Sequence, residues 1–243
     1  MGQSLTLEFF DFLDDPPLRN GLELQDDVAQ VWRRNLRADP CTLEHARGVL
    51  SEEERERASR YRVEPPRTAF ILTRSALRIL LGGYLGESPR SIRFRVTKYG
   101  KLFVDERFDL HFNVSHTDGL ALLAFVRKRR IGVDVEKIRP QPDALKLARR
   151  FFSERERLQL EKLPAEELAA AFFRCWSRKE AYIKARGEGL SHPLNQFDVS
   201  AAANPGEILV ATRPDATEAQ RWVLGNVPVP PQYVAALAVS CEE

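Results

Sequence analysis

An α+β fold made of two halves of similar plan is the architecture this sequence predicts, and three observations carry it. The hydrophobic pattern runs strand, helices, strands, and then the same order follows again. Three apolar runs of strand length, Leu110 to Ser115, Leu120 to Val126 and Ile131 to Glu136, stand together in mid-chain, so the join between the halves falls around residues 126–131. The 243 residues, 43% hydrophobic and 30% charged, suffice for one large domain or two small ones. The expected division is residues 1–128 and 129–243, although no sequence repeat is evident between them.

The elements follow in order. LTLEFFDFL, ahead of a DDPP break, reads as a strand or a draped arm. Asp27 to Leu36 alternates as a strand that Asp39-Pro40 ends. Ser51 with Glu54 has capping-box spacing, so a charged helix follows through Arg62. Pro65-Pro66 breaks that helix and opens the next, from Arg67 to Leu81, which the glycines at 82, 83 and 86 stop near Tyr84. Arg67, Arg74 and Arg78 ride along it, either solvated or facing an anion. Ser91 to Val96 alternates as a strand and Tyr99-Gly100 makes a turn. RKRR at 127–130 reads as a solvated hairpin turn between the second and third mid-chain strands. Asp143 to Arg150, Ser153 to Leu163 and Pro164 to Ala185 are helical, Gly187 and Gly189 end the last, and short strands follow near Phe197, Ile208, Val223 and Val234 to Val239.

Composition excludes several classes. A net charge of +2 gives no general nucleic-acid signature, although the arginines between Arg55 and Arg78 suit an anionic ligand. Cys41, Cys175 and Cys241 form no CxxC pair or disulfide framework, which suits a reducing cytoplasm. His45, His111, His116 and His192 lack zinc-ligand spacing. No apolar run reaches membrane-span length, and MGQSLT fits only a permissive myristoylation pattern.

Chemistry concentrates in three motifs. In FFRCWSRKEAYIK, Trp176, Glu180 and Lys184 are four apart and share one helix face, so a core aromatic carries two charges to the core's edge. The bland alternative is a rim ion pair giving roughly 0.2–0.5 kcal/mol. In IGVDVE, Asp134 and Glu136 face one way and Val133 and Val135 the other. Such carboxylates are either two hydrated acids at a strand end or a pair compensated by a cation, for which magnesium, with its hard oxygen ligands, is the natural candidate. In NVSH, Ser115 and His116 suit either phosphate donors or a structural histidine, and no GxSxG elbow supports a hydrolase.

FNVSH, IGVDVE, FFSERE and WSRKEAYIK followed by a GxG-L segment, in this order and at these intervals, resemble the surfactin-type 4'-phosphopantetheinyl transferases. The resemblance spans about Lys98 to Leu190; LSEEERERASRY and RTAFILTRSALRILLGGYLG upstream fit it, while the first 25 or so residues and those after Asn195 carry little of it. It implies a pseudo-twofold pair of α+β subdomains with the active site in the cleft between them. It also implies transfer of the phosphopantetheine arm of coenzyme A to a serine of an apo acyl or peptidyl carrier protein, with release of adenosine 3',5'-bisphosphate. Carried over by motif, Asp134, Glu136 and Glu180 hold Mg2+, with Mn2+ as an alternative. Glu180 is the general base, directly or through a water, and Lys184 stabilises charge on the phosphates. Lys101, Ser115 and His116 match positions near the coenzyme's phosphates, Arg67 and Thr68 the nucleotide end, and Arg57 the 3'-phosphate. Glu54 departs from the family by standing where some relatives place a lysine.

The resemblance further implies a cytoplasmic monomer acting on carrier proteins, with no nucleic-acid or membrane partner. Arg149, Arg150, Phe151 and Phe152 are candidates for carrier docking, or simply a helix end packed by two aromatics. Two other readings of the chain are a non-catalytic carrier- or nucleotide-binding module, and a nucleic-acid binder using the arginines and RKRR.

Overall fold

The computed structural model describes residues 5–12, 21–204 and 206–241; the MGQS start and the DDPP break lie outside them. Strands β1 (Thr6–Asp11) and β2 (Val28–Asn35) precede helices α1 (Pro40–Val49), α2 (Glu52–Ser59) and α3 (Glu64–Leu85). Then come two-residue strands β3 (Arg95–Val96) and β4 (Leu102–Phe103), followed by β5 (Leu110–Thr117), β6 (Leu120–Arg127) and β7 (Ile131–Lys137). Helices α4 (Ala144–Phe151), α5 (Glu154–Glu161) and α6 (Ala165–Arg186) follow, and the chain closes with β8 (Phe197–Val199), β9 (Leu209–Thr212), β10 (Trp222–Asn226) and β11 (Tyr233–Ser240).

Two sheets dominate, ordered β1-β2-β6-β5 and β10-β11-β7. Their facing sides share one apolar layer, with Val31, Leu122 and Ala124 from the first and Val133, Val135 and Leu237 from the second. On the first sheet's other side Trp32, Leu123 and Phe125 pack with Leu77, Leu80 and Leu81 of α3. On the second sheet's other side Ala236 and Ala238 pack with Ala181 and Tyr182 of α6. The order is therefore helix, sheet, sheet, helix. β6 reads LALLAFVR because both of its faces are buried.

The two halves repeat a plan. A strand leads through two short helices into a helix of 22 residues, and the half ends in a strand antiparallel to the first, β2 with β6 and β7 with β11. The second short helix of each half carries the same capping box, Ser51 with Glu54 and Ser153 with Glu156. Each long helix stops where a left-handed residue is needed, at Gly86 (φ 68) and Gly187 (φ 77).

Four expectations need correction. RKRR is not a solvated hairpin turn: β6 and β7, which it joins, belong to different sheets, and Arg129 within it is buried. Asp39-Pro40 does end the strand, but it also starts α1: Asp39 accepts from the Cys41 and Thr42 amides and Pro40 takes the first helical position. Of Ser91 to Val96, only Arg95–Val96 is strand. Arg74 and Arg78 are neither solvated nor free for an anion, because both turn inward onto Glu54, at 3.3 and 2.5 Å.

Candidate active site

β7 alternates cleanly. Ile131, Val133 and Val135 enter the layer between the sheets, so Gly132, Asp134 and Glu136 face α6. Gly132 decides how closely the helix approaches: a Cβ there would lie 2.2 Å from the Ala181 carbonyl oxygen and 2.3 Å from the Ala185 nitrogen. With no side chain in the way, α6 lies against the strand backbone. Glu180 and Lys184, each one residue before those alanines, come up beside the two acids.

The centre of the group is Asp134, whose side chain is 6% exposed. Its Oδ1 is held by the Lys184 ammonium at 2.6 Å and by the Ser115 hydroxyl, which donates to it at 2.8 Å. Its Oδ2 is buried and has no hydrogen-bond partner among the described residues. Lys184 also donates to Ser115 Oγ at 3.1 Å, so strand β5, strand β7 and helix α6 meet at one point. Burial first, and then the Asp134 charge, raise the pKa of Glu136 despite Arg139 at 3.5 Å. Burial likewise raises Glu180; Lys184 opposes the shift, while Asp134 and Glu136 add to it. Three carboxylates thus crowd one place with a single lysine facing them all.

Such a set of hard oxygens, with one orphaned buried oxygen, fits Mg2+ or Mn2+. Among the described residues the acids do not already stand as a three-ligand cluster.

The neighbouring residues divide. His116, next to Ser115 on β5, points to the exposed side, and partial burial and then Lys184 lower its pKa. The Lys101 ammonium donates to the backbone oxygens of Ile131 and Lys184, both at 2.9 Å, and burial and then Arg130 bring its pKa down to about 8. Lys101 and Lys184 both line a cavity of about 260 Å³ between the Tyr99–Leu102 turn, β5 and the glycines ending α6. Arg57, Arg67 and Thr68 stand apart from this group in their bonding. Arg57 stacks over Phe70 at 5.1 Å; Arg67 donates to the Tyr61 carbonyl at 2.7 Å and pairs with Glu64 at 3.1 Å; the Thr68 hydroxyl donates to that same Glu64 at 3.3 Å. Glu54 caps α2 and binds Arg74 and Arg78, so this departure from the family pattern has an internal role.

At the far end of the α6 stripe, Trp176 is half-buried and stacks on Phe172 with ring centroids 6.1 Å apart. Phe152 stacks on Phe172 at 5.3 Å and also meets Trp176 at 6.2 Å, Phe151 meets Trp176 edge-on at 6.1 Å, and Arg149 pairs with Glu161 at 3.3 Å. Sequence reasoning passed over Asn113, whose Oδ1 accepts from the Val133 amide at 2.9 Å. Its signal was available: Asn113 and Ser115, two apart on one strand, share a face.

Residues 130–238 match the family model described as the 4'-phosphopantetheinyl transferase superfamily. The chain is 36% identical over 233 residues to the 4'-phosphopantetheinyl transferase HetI of Nostoc sp., covering 94% of this chain and 93% of that protein. It is 37% identical over 185 residues to a putative 4'-phosphopantetheinyl transferase of Synechocystis sp., covering 74% and 73%. It is 37% identical over 163 residues to the 4'-phosphopantetheinyl transferase Sfp of Bacillus subtilis, covering 62% and 71%. With an acid-rich, lysine-faced site between strand and helix and a relative 36% identical over 94% of its length, the chain belongs to the 4'-phosphopantetheinyl transferase family.

Proposed function

We propose that this enzyme transfers the 4'-phosphopantetheine arm of coenzyme A to a serine hydroxyl of an apo carrier protein. The phosphoanhydride breaks, adenosine 3',5'-bisphosphate leaves, and the hydroxyl proton goes to the enzyme. The observation that carries the reading is the convergence of Asp134, Glu136, Glu180 and Lys184 from one strand face and one helix face. Asp134, Glu136 and Glu180 would hold Mg2+, or Mn2+ in its place; when bound, the ion supplies Lewis-acid neutralisation of the pyrophosphate.

The chain's own groups have separable tasks. Glu180, with its raised pKa, takes the serine proton, directly or through a water. Lys184 sets its ammonium against charge developing on phosphate oxygens. Ser115 and His116 lie beside it on β5 as phosphate contacts. Lys101 adjoins them, and Arg67, Thr68 and Arg57 form the nucleotide and 3'-phosphate end. In this scheme residues 1–128 supply the coenzyme's nucleotide contacts and residues 129–243 the carboxylates and the catalytic helix.

Acidic carrier surfaces suit Arg149 and Arg150 beside Phe151. No helix among the described residues is long and apolar enough to cross a membrane; a cytoplasmic monomer is the proposed working form. Incubation with coenzyme A, Mg2+ and apo carriers of fatty-acid, polyketide and peptide type, followed by mass measurement, tests the reading. A gain of one phosphopantetheine arm is expected on at least one; no gain on any sinks it.

A further inference from the structure

β5 and β7 are edge strands of different sheets, yet the site lies across them. No backbone ladder joins the two among the described residues, so the outward N–H and C=O groups of β7 need other partners. Side chains supply them. Asn113 accepts from the Val133 amide at 2.9 Å, Ser115 accepts from the Val135 amide at 3.4 Å, and Lys101 and Lys184 donate to the Ile131 and Val133 carbonyls at 2.9 and 3.4 Å. The amides of the residues on both sides of Asp134, Val133 and Val135, are therefore pinned from β5, and the Asn113 bond is the shorter of the two pins. Ser115 and Lys184 are also engaged with the Asp134 carboxylate. The Asn113 side chain makes no other hydrogen bond among the described residues.

We infer that Asn113 is a positioning residue: its amide oxygen sets the register of β7 against β5 and so holds Asp134 and Glu136 opposite the groups of the other half. The ladder with β11, in which Asp134 sits opposite Ala236, fixes β7 within its own sheet. Nothing in that ladder fixes it relative to β5; the Asn113 bond does so, alongside the longer Ser115 bond to the Val135 amide and the Ser115 bond to the Asp134 carboxylate. Loss of the acceptor leaves the buried Val133 N–H unpaired and lets the seam relax, and the carboxylates move with the strand.

The inference rests on the reading of Asp134, Glu136 and Glu180 as metal ligands, and its test reads the metal itself. Mn2+ binding to the full chain is measured by the loss of the free-ion electron paramagnetic resonance signal, at a temperature where circular dichroism shows every variant folded. Asn113→Leu, close in shape but without an acceptor, is expected to weaken Mn2+ binding by about ten-fold or more, as loss of a supporting hydrogen bond behind metal ligands does. Asn113→Ala, which cannot overpack the seam, should follow it. Asn113→Asp, which keeps the acceptor, should stay close to the wild type. Leu81→Ala, which loosens the α3 core away from the seam, should leave Mn2+ affinity unchanged. Wild-type affinity in N113L or N113A would overturn the inference, as would equal weakening in N113D or in L81A. Failure of the wild-type chain to bind Mn2+ would overturn the metal reading and this inference with it.

Discussion

Gly132→Ala separates seating of the catalytic helix from everything else in the site. The added methyl would stand 2.2 Å from the Ala181 oxygen, 2.3 Å from the Ala185 nitrogen and 2.9 Å from the Ala185 Cα. All three are helix backbone atoms, so no rotamer change relieves the clash. Restoring ordinary contact requires α6 to retreat from β7 by about 1 Å, and overpacking of this kind costs ~1–3 kcal/mol. In a chain of this size that lowers the melting midpoint by roughly 3–10 °C. The same retreat draws Lys184 off Asp134, whose contact is now 2.6 Å. Misplacing reacting groups by about 1 Å costs on the order of 10²-fold in rate. The assay is the initial rate of carrier mass gain, taken well below the variant's calorimetric midpoint. A variant with the wild-type midpoint would show that the close approach does not seat the helix, and a lowered midpoint with an unchanged rate would refute the coupling between seating and chemistry.

Glu180→Gln is expected to keep the wild-type melting midpoint, since it removes a charge that burial disfavours, while lowering the transfer rate by about 10²-fold or more; an unchanged rate would assign the base elsewhere. Ser51→Ala and Ser153→Ala each remove the hydroxyl of a capping box and should each cost ~1 kcal/mol in denaturant unfolding. For Lys101, burial lowers the pKa from its usual 10.5 to about 8 in the folded chain. Between those values the unfolded chain binds the extra proton, so this group's contribution to stability rises with pH across that window and is complete above it. The rise, of order 1–3 kcal/mol, should be present in wild-type unfolding curves and absent in Lys101→Met; parallel curves for the two proteins would contradict the buried, carbonyl-bound lysine.

Legibility from sequence followed how local each determinant is. The capping box at Ser51 and the period-two split of Asp134 and Glu136 from Val133 and Val135 depend on neighbours within a few residues, and they read directly. So did the four-residue stripe from Trp176 to Lys184. Helix α1 was missed because Asp39-Pro40 satisfies two rules at once, ending an extended strand and capping a helix, and only the chain beyond decides between them. Arg74 and Arg78 looked like surface charge because their partner, Glu54, lies 20 and 24 residues away on another helix. Gly132 was opaque for the same reason, since it acts on a helix some fifty residues on; for Asn113 the shared face with Ser115 was legible, but its partner on the edge of a strand in another sheet was not.

The repeated plan also sets the acids of the second half against their counterparts in the first. In each half the glutamate of the capping box binds a cation that is the fifteenth residue of the long helix, Arg78 on Glu54 and Lys179 on Glu156, at 2.5 and 2.7 Å. Each cation also donates to backbone carbonyls of the segment after its helix, Pro89 and Ile92 in one half, Leu194 and Phe197 in the other. Rotation of both helices is set by the same device, so corresponding positions can be compared. One residue beyond the anchor stands Ile79 in α3 and Glu180 in α6; five beyond stand Gly83 and Lys184. The strand side differs to match. Against α3, β2 turns Trp32, whose indole donates to Tyr84 at 2.8 Å while Tyr84 donates to Gln30, so a bulky, satisfied network fills the space. Against α6, β7 turns Gly132, which brings the backbone close, and the carboxylates of Asp134 and Glu136. What faces the long helix therefore differs on one scaffold: a packed, hydrogen-bonded indole in the first half and a pair of acids in the second.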